Sequence, residues 1–373
     1  MIVTDSTHED IKERLVALAR DLILIPSIPS RPEDRQRCYE FIRNHLESLE
    51  HIKVREFTDN GIPSLIAAPD GCHNPEVLMC GHLDVITHPD ISVYRSEIKD
   101  GRIYGPGAGD MKGALAILLE VFRIIHSRSK DISLGIAVTA DEETGGESGI
   151  GYLYDKQAVR CKSAMIPDGG SLNQITVEEK GILHLQVKCK GHTAHAARPW
   201  LGDNPIEKLM DQLTELRKYF NEMKITAGHW FPTCAITIMD TENKTVNRIA
   251  SEASAVLDVR FPPPYTMEKM LEKIKEILSD DIEVEKIIGA EPTHLFPDAL
   301  YQRVTEEVTG QSVELIKDDG GSDARFLAKD NIPVMISRPL VGNLHAQDEW
   351  IDIESMVKFY QIYERYLTQK FLK

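Results

Sequence analysis

The sequence lacks the cysteine patterns that bind zinc or cross-link small domains. It has six cysteines among 373 residues, and no two of them form a Cys-x-x-Cys pair. A thiolate zinc site needs such close spacing, and a disulfide framework is typical of short secreted chains. We therefore interpret the cysteines as reduced and mostly structural; they are Cys38, Cys72, Cys80, Cys161, Cys189 and Cys234.

Basic charge and long apolar runs are also scarce. The chain has 43 Lys and Arg against 59 Asp and Glu, a formal net charge of −16 and a pI near 5.3. Such a chain has no electrostatic attraction to nucleic acid or anionic lipid. No stretch reaches the roughly 20 apolar residues of a membrane span, and no basic segment followed by an apolar one opens the sequence. We expect a soluble, cytoplasmic protein with no nucleic-acid or membrane partner.

The length and the order of predicted elements indicate two domains. A single core accounts for roughly 100 to 200 residues, fewer than this chain has. Its first half alternates helices with strands that are apolar throughout, which predicts an α/β sheet covered on both faces. Between Ile182 and Ile288 the order becomes βαββαβ, the split arrangement of a ferredoxin-like domain. The predicted domains are residues 1–180 with 292–373, and an inserted domain at 181–291.

Hydrophobic spacing places the individual elements. In the first domain they are helices Ile11 to Ile25, Arg35 to Leu49, Met111 to His126, Asp298 to Thr309 and Ile353 to Leu367, with apolar strand segments Ser64 to Ala68, Val77 to Cys80, Ile132 to Ala140, Val313 to Lys317 and Val334 to Ile336. In the inserted domain they are strands Ile182 to Lys190, Cys234 to Met239, Ala255 to Phe261 and Ile282 to Ile288, with helices Pro205 to Phe220 and Thr266 to Leu278.

Three consecutive acidic residues follow one of the apolar strands. Asp141, Glu142 and Glu143 come directly after Ile132 to Ala140. Negative charge against a buried sheet is costly unless a cation or hydrogen-bond donors compensate it. Neighbouring side chains diverge along an extended backbone, so one glutamate can bind a metal while the other faces water. A solvated acidic turn is the alternative, and we expect Asp141 to support the turn.

His82 and Asp84 follow the strand at Val77 to Cys80. Open α/β sheets place their sites at strand ends, where the imidazole can bind a metal while Asp84 orients the ring. A surface histidine beside an aspartate would give the same pattern.

The glycine-rich loop from Gly105 to Asp110 resembles a phosphate-binding loop only superficially. Asp110 stands where a dinucleotide fingerprint needs its third glycine, and the order Met111, Lys112, Gly113 is not that of a Walker A motif. The Asp110 carboxylate would repel phosphate but can bridge two cations. A helix cap is its plainer interpretation, and we expect Lys112 to be structural.

Asp168 and His345 complete a possible metal site. Asp168 follows a short apolar run, and His345 lies in a Gly-Asn-Leu-His turn. Together with the residues above they supply two imidazoles and several carboxylates. This set suits a pair of borderline cations such as Zn²⁺, roughly 3.5 to 4 Å apart.

The chain resembles the M20 family of metallopeptidases and deacylases. The resemblance rests on five ordered motifs that span nearly the whole chain: Leu78 to Val85, Gly107 to Gly113, Asp141 to Gly146, Gly320 to Phe326, and Leu344-His345. The family includes acetylornithine deacetylase, succinyl-diaminopimelate desuccinylase, aminoacylase and carboxypeptidase members, and several di- and tripeptidases. It implies a zinc-peptidase-like catalytic domain, with a mixed sheet flanked by helices, and an inserted ferredoxin-like lid that forms homodimers.

The resemblance also implies roles for the motif residues. One ion would have His82, Asp110 and Asp168 as ligands, and the other would have Asp110, Glu143 and His345. Glu142 would be the general base, and Asp84 would orient His82. The Asp110–Met111 peptide would be cis. The cofactors would be two Zn²⁺ ions, with Co²⁺ or Mn²⁺ as substitutes.

Residues of the inserted domain and of the Gly-Gly-Ser loop are expected to contact substrate. By resemblance, His195 would stabilise the oxyanion in the partner subunit's site, and Asn247 and Arg260 would bind substrate carboxylates. An arginine suits bidentate pairing with a carboxylate, although Arg260 can equally pair with a nearby acid. Ser322 would shape the pocket or hold the fold.

The sequence leaves the substrate open. Asp168 resembles the version in di- and aminopeptidase members, which favours a small-peptide hydrolase, whereas the segment from Arg198 to Pro205 resembles desuccinylases. We therefore predict a two-metal hydrolase of amide bonds in small peptides or N-acyl amino acids. The alternatives are a strict N-acyl amino acid deacylase and a non-catalytic metal-bound binding protein. Glu142 argues against the last, because metal binding alone needs no base.

Overall fold

The computed structural model describes residues 8–157, 159–224 and 228–372, which form two compact units. Unit 1 consists of Met1–Val177, His294–Ile316 and Ser322–Lys373. Unit 2 consists of Glu178–Thr293 and Lys317–Gly321. The segment at 317–321 was not part of the inserted domain proposed from the sequence.

The secondary structure is mixed α/β. The helices are α1 His8–Ile23, α2 Pro32–Glu47, α3 Gly113–Arg128, α4 Ile150–Asp155, α5 Pro205–Glu222, α6 Met267–Ile277, α7 Ala299–Thr309, α8 Ala324–Ala328 and α9 Ile353–Phe371. The strands are β1 Ile52–Asp59, β2 Ile62–Pro69, β3 Val77–His82, β4 Glu97–Lys99, β5 Arg102–Tyr104, β6 Leu134–Thr139, β7 Ser163–Met165, β8 Gln174–Glu179, β9 Gly181–Lys190, β10 Thr233–Thr241, β11 Glu252–Phe261, β12 Ile282–Ala290, β13 Thr293–His294, β14 Glu314–Asp318, β15 Val334–Met335, β16 Val341–Gly342 and β17 Trp350–Asp352. Among these described helices, none is long and apolar enough to cross a membrane.

A six-stranded mixed sheet organises unit 1. Its order is β1-β2-β6-β3-β7-β15. The strands β6, β3, β7 and β15 are parallel, whereas β1 and β2 join the sheet antiparallel. The mixed sheet predicted from the sequence is confirmed, and the carboxyl ends of β3, β6 and β7 lie side by side at one edge.

Alternate residues of the central strand β3 pack into different cores. Val77 and Met79 join the core formed with α1, α2, α3 and α9, whereas Leu78 and Cys80 join the core formed with α4 and α8. Successive side chains of a strand point to opposite faces, so helices cover both faces. This explains why β3 is apolar throughout and buried along its whole length.

The helix that follows the glycine-rich loop starts later than predicted. A kinked turn, Ala108–Lys112, precedes α3, and within it Asp110 (φ −129°, ψ 97°) and Met111 (φ −125°, ψ 27°) have non-helical backbone angles. Lys112 is fully buried, and its ammonium donates hydrogen bonds to the carbonyl oxygens of Leu22 and Ile25 at the end of α1. The prediction that Lys112 is structural is confirmed.

Unit 2 contains a four-stranded antiparallel sheet with two helices on one face. Its order, β10-β11-β9-β12, and the chain order βαββαβ are those of the ferredoxin-like arrangement. Alternate residues of β9 and β11 pack against α5 and α6, and the residues between them are only partly buried. One face of the sheet is therefore covered within unit 2, and the other carries polar side chains.

Candidate metal centre

His82 lies at the carboxyl end of β3 and is only 1% exposed. Its Nδ1 lies 3.1 Å from the carbonyl oxygen of Asp84, and its Nε2 lies 3.1 Å from Asp110 Oδ1. A carbonyl oxygen only accepts hydrogen bonds, so Nδ1 carries a proton in that contact. The other ring nitrogen, Nε2, faces the Asp110 carboxylate at the centre of the site; it donates a hydrogen bond when it is protonated and can bind a cation when it is not.

Asp84 connects His82 to the acidic triplet. Its Oδ1 lies 3.4 Å from Nδ1 of His82, the ring that it is predicted to orient. The same carboxylate accepts hydrogen bonds from the backbone N–H groups of Glu142, at 3.3 Å, and Glu143, at 3.1 Å. This second set of contacts was not predicted, and it attaches the triplet to the end of β3.

The carboxylate of Asp110 lies between two imidazoles. Oδ1 is 3.1 Å from His82 Nε2, and Oδ2 is 3.3 Å from His345 Nε2. Burial opposes ionisation of Asp110, but hydrogen bonds with His345 and His82 outweigh it and hold its pKa below the ordinary value. The Asp110–Met111 peptide is cis, as expected.

Each acid of the triplet has a different environment. Asp141 is buried and its Oδ2 accepts hydrogen bonds from the N–H groups of Ser148, at 2.9 Å, and Gly149, at 3.0 Å, which confirms its role in the turn. Burial raises the pKa of Glu142 well above its ordinary value. Burial, together with the neighbouring Asp110, raises the pKa of Glu143 to about 8.

His345 brings the second imidazole to the site from a turn. Its φ of 63° lies in the left-handed region, and its side chain is 55% exposed. The Nε2 atom lies 3.4 Å from Glu143 Oε2. The hydrogen bond with Asp110 raises the pKa of His345 to about 9.

The potential ligands form two groups. Within each group, the ligand atoms all lie within 4.8 Å of one another. One group is His82, Glu142 and Asp168, and the other is Asp110, Glu143 and His345. The second group has the same members as the set implied by the family resemblance. The first has Glu142 where that set has Asp110, although Asp110 also contacts His82.

Asp168 has a cationic neighbour that was not predicted from the sequence. Arg338 Nη1 lies 3.6 Å from Asp168 Oδ1, and both side chains are largely buried. Arg338 comes shortly after the short strand β15. This strand pairs in parallel with β7, which ends shortly before Asp168. One carboxylate oxygen of Asp168 is therefore close to Arg338.

The Gly-Gly-Ser loop supports the triplet turn. Ser322 is buried, and its hydroxyl accepts a hydrogen bond of 3.3 Å from the N–H of Ala324. The guanidinium of Arg325 donates a hydrogen bond to the carbonyl oxygen of Gly145. The structure thus gives Ser322 and Arg325 structural contacts, and substrate binding by Ser322 stays a prediction.

The other predicted substrate-binding residues belong to unit 2. His195 is exposed, and its Nδ1 accepts a hydrogen bond of 3.1 Å from the N–H of Ala197. Asn247 is also exposed, and its backbone carbonyl oxygen accepts a hydrogen bond from the N–H of Ala196. Arg260 forms a two-pronged ion pair with Asp258, at 2.7 and 3.1 Å.

The donor set fits divalent cations. Imidazole nitrogens and carboxylate oxygens are the ligands that Zn²⁺, Co²⁺ and Mn²⁺ accept in proteins. Burial makes the ionised forms of Glu142 and Glu143 costly in the protein alone, as their raised pKa values show. Cations at the two groups would offset that cost.

A mixed α/β fold whose strand ends and loops bring several carboxylates and two imidazoles together is the arrangement of a metal-dependent hydrolase. The model of the family described as Peptidase family M20/M25/M40 matches residues 78–369. This chain belongs to that family and is a metal-dependent amide hydrolase.

Individual relatives cover nearly the whole chain. A succinyl-diaminopimelate desuccinylase of Rhodospirillum centenum is 27% identical over 382 residues, with 95% of this chain and 97% of the relative covered. One from Novosphingobium aromaticivorans is 28% identical, with 94% and 96% covered. The structure of the dipeptidase Dug1p from Saccharomyces cerevisiae has a TM-score of 0.79 at 16% identity, with 97% of both chains covered, so the similarity to it concerns the fold.

Proposed function

We propose that the protein is a two-zinc hydrolase of amide bonds in small peptides or N-acyl amino acids. The observation that supports this most directly is the arrangement of two ligand groups around Asp110, with Glu142 in the same site. Both Co²⁺ and Mn²⁺ have the ligand preferences to replace Zn²⁺. In this proposal His82, Asp110 and Asp168 hold one ion, and Asp110, Glu143 and His345 hold the other.

Glu142 is the proposed general base. Divalent cations held by the site would polarise the substrate carbonyl and lower the pKa of water. The Glu142 carboxylate would take a proton from the attacking water and later donate it to the leaving nitrogen. Burial raises the pKa of this side chain, so its ionised carboxylate accepts a proton more readily than an exposed glutamate does.

His195 is the proposed oxyanion donor. Its Nδ1 accepts a hydrogen bond from Ala197, so the proton of the neutral ring is on Nε2. That N–H is on an exposed side chain and is available to a developing negative charge. Asn247 and Arg260 are proposed to bind substrate carboxylates. At Arg260, the substrate carboxylate would have to compete with Asp258, which already pairs with the guanidinium.

A strict N-acyl deacylase is the second candidate. It is supported by the desuccinylases that match about 95% of this chain. Asp168 supports the peptidase, since this site resembles that of di- and aminopeptidase members. The two candidates differ in whether the substrate must carry a free α-amine.

A substrate panel separates the candidates. Dipeptides and N-acetyl or N-succinyl amino acids would be incubated with protein reconstituted with Zn²⁺, Co²⁺ or Mn²⁺, and Glu142→Gln would give the background. Turnover of dipeptides alone supports the peptidase, and turnover of acyl amino acids alone supports the deacylase. If no amide substrate turns over with any of the metals, the hydrolase proposal fails.

We also propose a cytoplasmic homodimer that forms through unit 2. The edge strand β10 exposes apolar side chains, including Ile238, which is 57% exposed, and Met239, which is 51% exposed. An exposed apolar edge strand is a template for pairing with another chain. A second copy of unit 2 would cover these side chains and extend the sheet.

A further inference from the structure

Glu349 is a buried carboxylate with no role in the chemistry proposed above. It is 1% exposed and lies directly before β17, four residues after His345. We propose that Glu349 is a positioning residue that fixes the Asp110 loop and the His345 segment relative to each other. The inference rests on the proposed function, because it assigns a purpose to the geometry of two proposed ligands.

The side chain of Glu349 holds the loop at the ligand itself. Its Oε1 accepts hydrogen bonds from the backbone N–H of Gly109, at 2.7 Å, and of Asp110, at 2.8 Å. Both N–H groups belong to the turn Ala108–Lys112, where Asp110 departs from helical geometry, so a regular helix cannot satisfy its N–H. Hydrogen bonds from N–H groups to a carboxylate are about twice as strong as neutral ones. The orientation of the Asp110 backbone is therefore set by Glu349.

The main chain of Glu349 holds the other end of the same loop. Its carbonyl oxygen accepts a hydrogen bond of 2.8 Å from the N–H of Gly105. This contact continues the antiparallel pairing of β17 with β5, in which Trp350 lies opposite Tyr104. One residue thus binds both ends of the loop from Gly105 to Asp110, and the loop has little freedom to move relative to β17.

Close packing joins the loop to the segment that carries His345. A Cβ atom added to Gly109 would lie 2.8 Å from Leu344 Cδ2 and 2.9 Å from Val341 Cβ, closer than real Cβ atoms approach. The turn that presents His345 is closed by a hydrogen bond of 2.8 Å from Asn343 Nδ2 to Asp348 Oδ2. The imidazole of His345 and the carboxylate of Asp110 are consequently supported by one rigid segment.

Fixing the backbone of Asp110 also fixes the directions of its two carboxylate oxygens. Asp110 must present one oxygen to each side, and small rotations of its backbone would move both oxygens at once. Residues that orient metal ligands typically change metal affinity 10- to 100-fold when they are removed. Glu349 would exert this effect without touching the metal or the substrate.

The test compares Glu349→Ala and Glu349→Gln with the wild type and with Glu120→Gln. Gln retains an acceptor oxygen for Gly109 and Asp110, whereas Ala retains none. Glu120 is a buried carboxylate on α3 that pairs with Arg123 and Arg14, so Glu120→Gln reports the cost of altering a buried acid elsewhere. The readouts are amide hydrogen exchange of residues 105–112 in the metal-free protein, and metal affinity by competition with a chelator.

We expect Glu349→Ala to lose exchange protection at Gly109 and Asp110 and to bind metal 10- to 100-fold more weakly. Glu349→Gln should fall between Ala and the wild type, and Glu120→Gln should keep wild-type metal affinity. Wild-type protection and affinity in Glu349→Ala would overturn the inference, as would Gln and Ala variants that behave alike. Failure of the wild type itself to bind metal would instead refute the proposed function, while the exchange data would still test the role of Glu349.

Discussion

The carboxylate of Asp84 accepts a hydrogen bond from the backbone N–H of Glu143 at 3.1 Å. The same side chain contacts the ring of His82 and the N–H of Glu142. The end of β3 and the turn after β6 are thus held together by one buried residue. Because parallel neighbours end at the same edge of the sheet, a short acidic side chain is able to reach both.

Asp84→Asn is expected to weaken metal binding and turnover by about 10- to 100-fold. The amide has only one acceptor oxygen, so it cannot accept hydrogen bonds from both Glu142 and Glu143 and also align His82. Metal affinity by chelator competition, together with kcat, measures the effect. Asp34→Asn is the matched control, since Asp34 is also buried but pairs with Arg31 and Arg37. Equal losses in both variants would argue for a general effect on folding.

Glu142→Gln is expected to keep both metals and to lower kcat by roughly 100- to 10,000-fold, the usual contribution of a general base. The amide occupies nearly the same volume but cannot accept a proton. Metal content by elemental analysis and turnover on the best substrate of the panel provide the measurement. The exposed Glu147, in the same turn, gives the control Glu147→Gln. Loss of metal in Glu142→Gln would show that Glu142 is a ligand, as its place beside His82 and Asp168 allows.

Ile238→Lys in β10 is expected to convert a dimer into a monomer, because it places charge in the apolar strand proposed to pair with a second copy. Light scattering coupled to size-exclusion chromatography measures the mass. Ile287→Lys is the control, since Ile287 is 53% exposed on the opposite edge strand, β12, of the same sheet. If the wild type is monomeric, or if only Ile287→Lys dissociates it, the proposed interface is wrong.

His126 is expected to make the protein less stable as the pH falls from about 6.5 to about 4. Burial lowers its pKa to about 4, against an ordinary value of 6.5, while Nε2 lies 3.1 Å from the carbonyl oxygen of Leu134. Between these values the unfolded state binds a proton that the folded state does not, so unfolding becomes easier. The contribution to the free energy of unfolding is at most about 3 to 4 kcal/mol, from 1.36 kcal/mol per pKa unit.

Chemical unfolding of wild type and His126→Gln at several pH values isolates this contribution, because the difference between the two proteins removes the titration of all other groups. The difference in the free energy of unfolding between the two proteins should shrink as the pH falls, because only the wild type has His126 and loses its contribution. His73→Gln, at an exposed position, serves as the control for the exchange itself. Parallel curves for wild type and His126→Gln would contradict the prediction.

Much of the site follows from the sequence, since its residues stand in local motifs. His82, Asp110, Glu142, Glu143, Asp168 and His345 were all named as ligands or base, and they lie in the two groups found. The supporting residues were harder to identify. Glu349 and Arg338 act on the Asp110 loop and Asp168 from more than 150 positions away along the chain, and neither carries a local pattern that distinguishes it from an ordinary charged residue.

The fold, like the site, was predicted from the sequence only where it depends on local pattern. The spacing of hydrophobic residues and the apolar content predicted the order of α1, α3, α5, α6 and α9. They also predicted the βαββαβ insertion, because these elements depend on neighbours along the chain. They missed β1, whose pattern is only partly buried, and they started the helix after the glycine-rich loop two residues early, at Met111. A non-helical turn that is held by a distant carboxylate has no local sequence signature.

The sequence by itself determined the chemistry available to this protein: two imidazoles, a set of carboxylates at strand ends, and the family to which they belong. Only the tertiary structure decided how each carboxylate is used. Asp84, Asp141 and Glu349 bind backbone N–H groups, whereas Asp110, Glu143 and Asp168 lie in the two groups of potential metal ligands. The side chains are chemically alike, so their roles depend on which N–H groups and which charges the fold places within hydrogen-bonding distance.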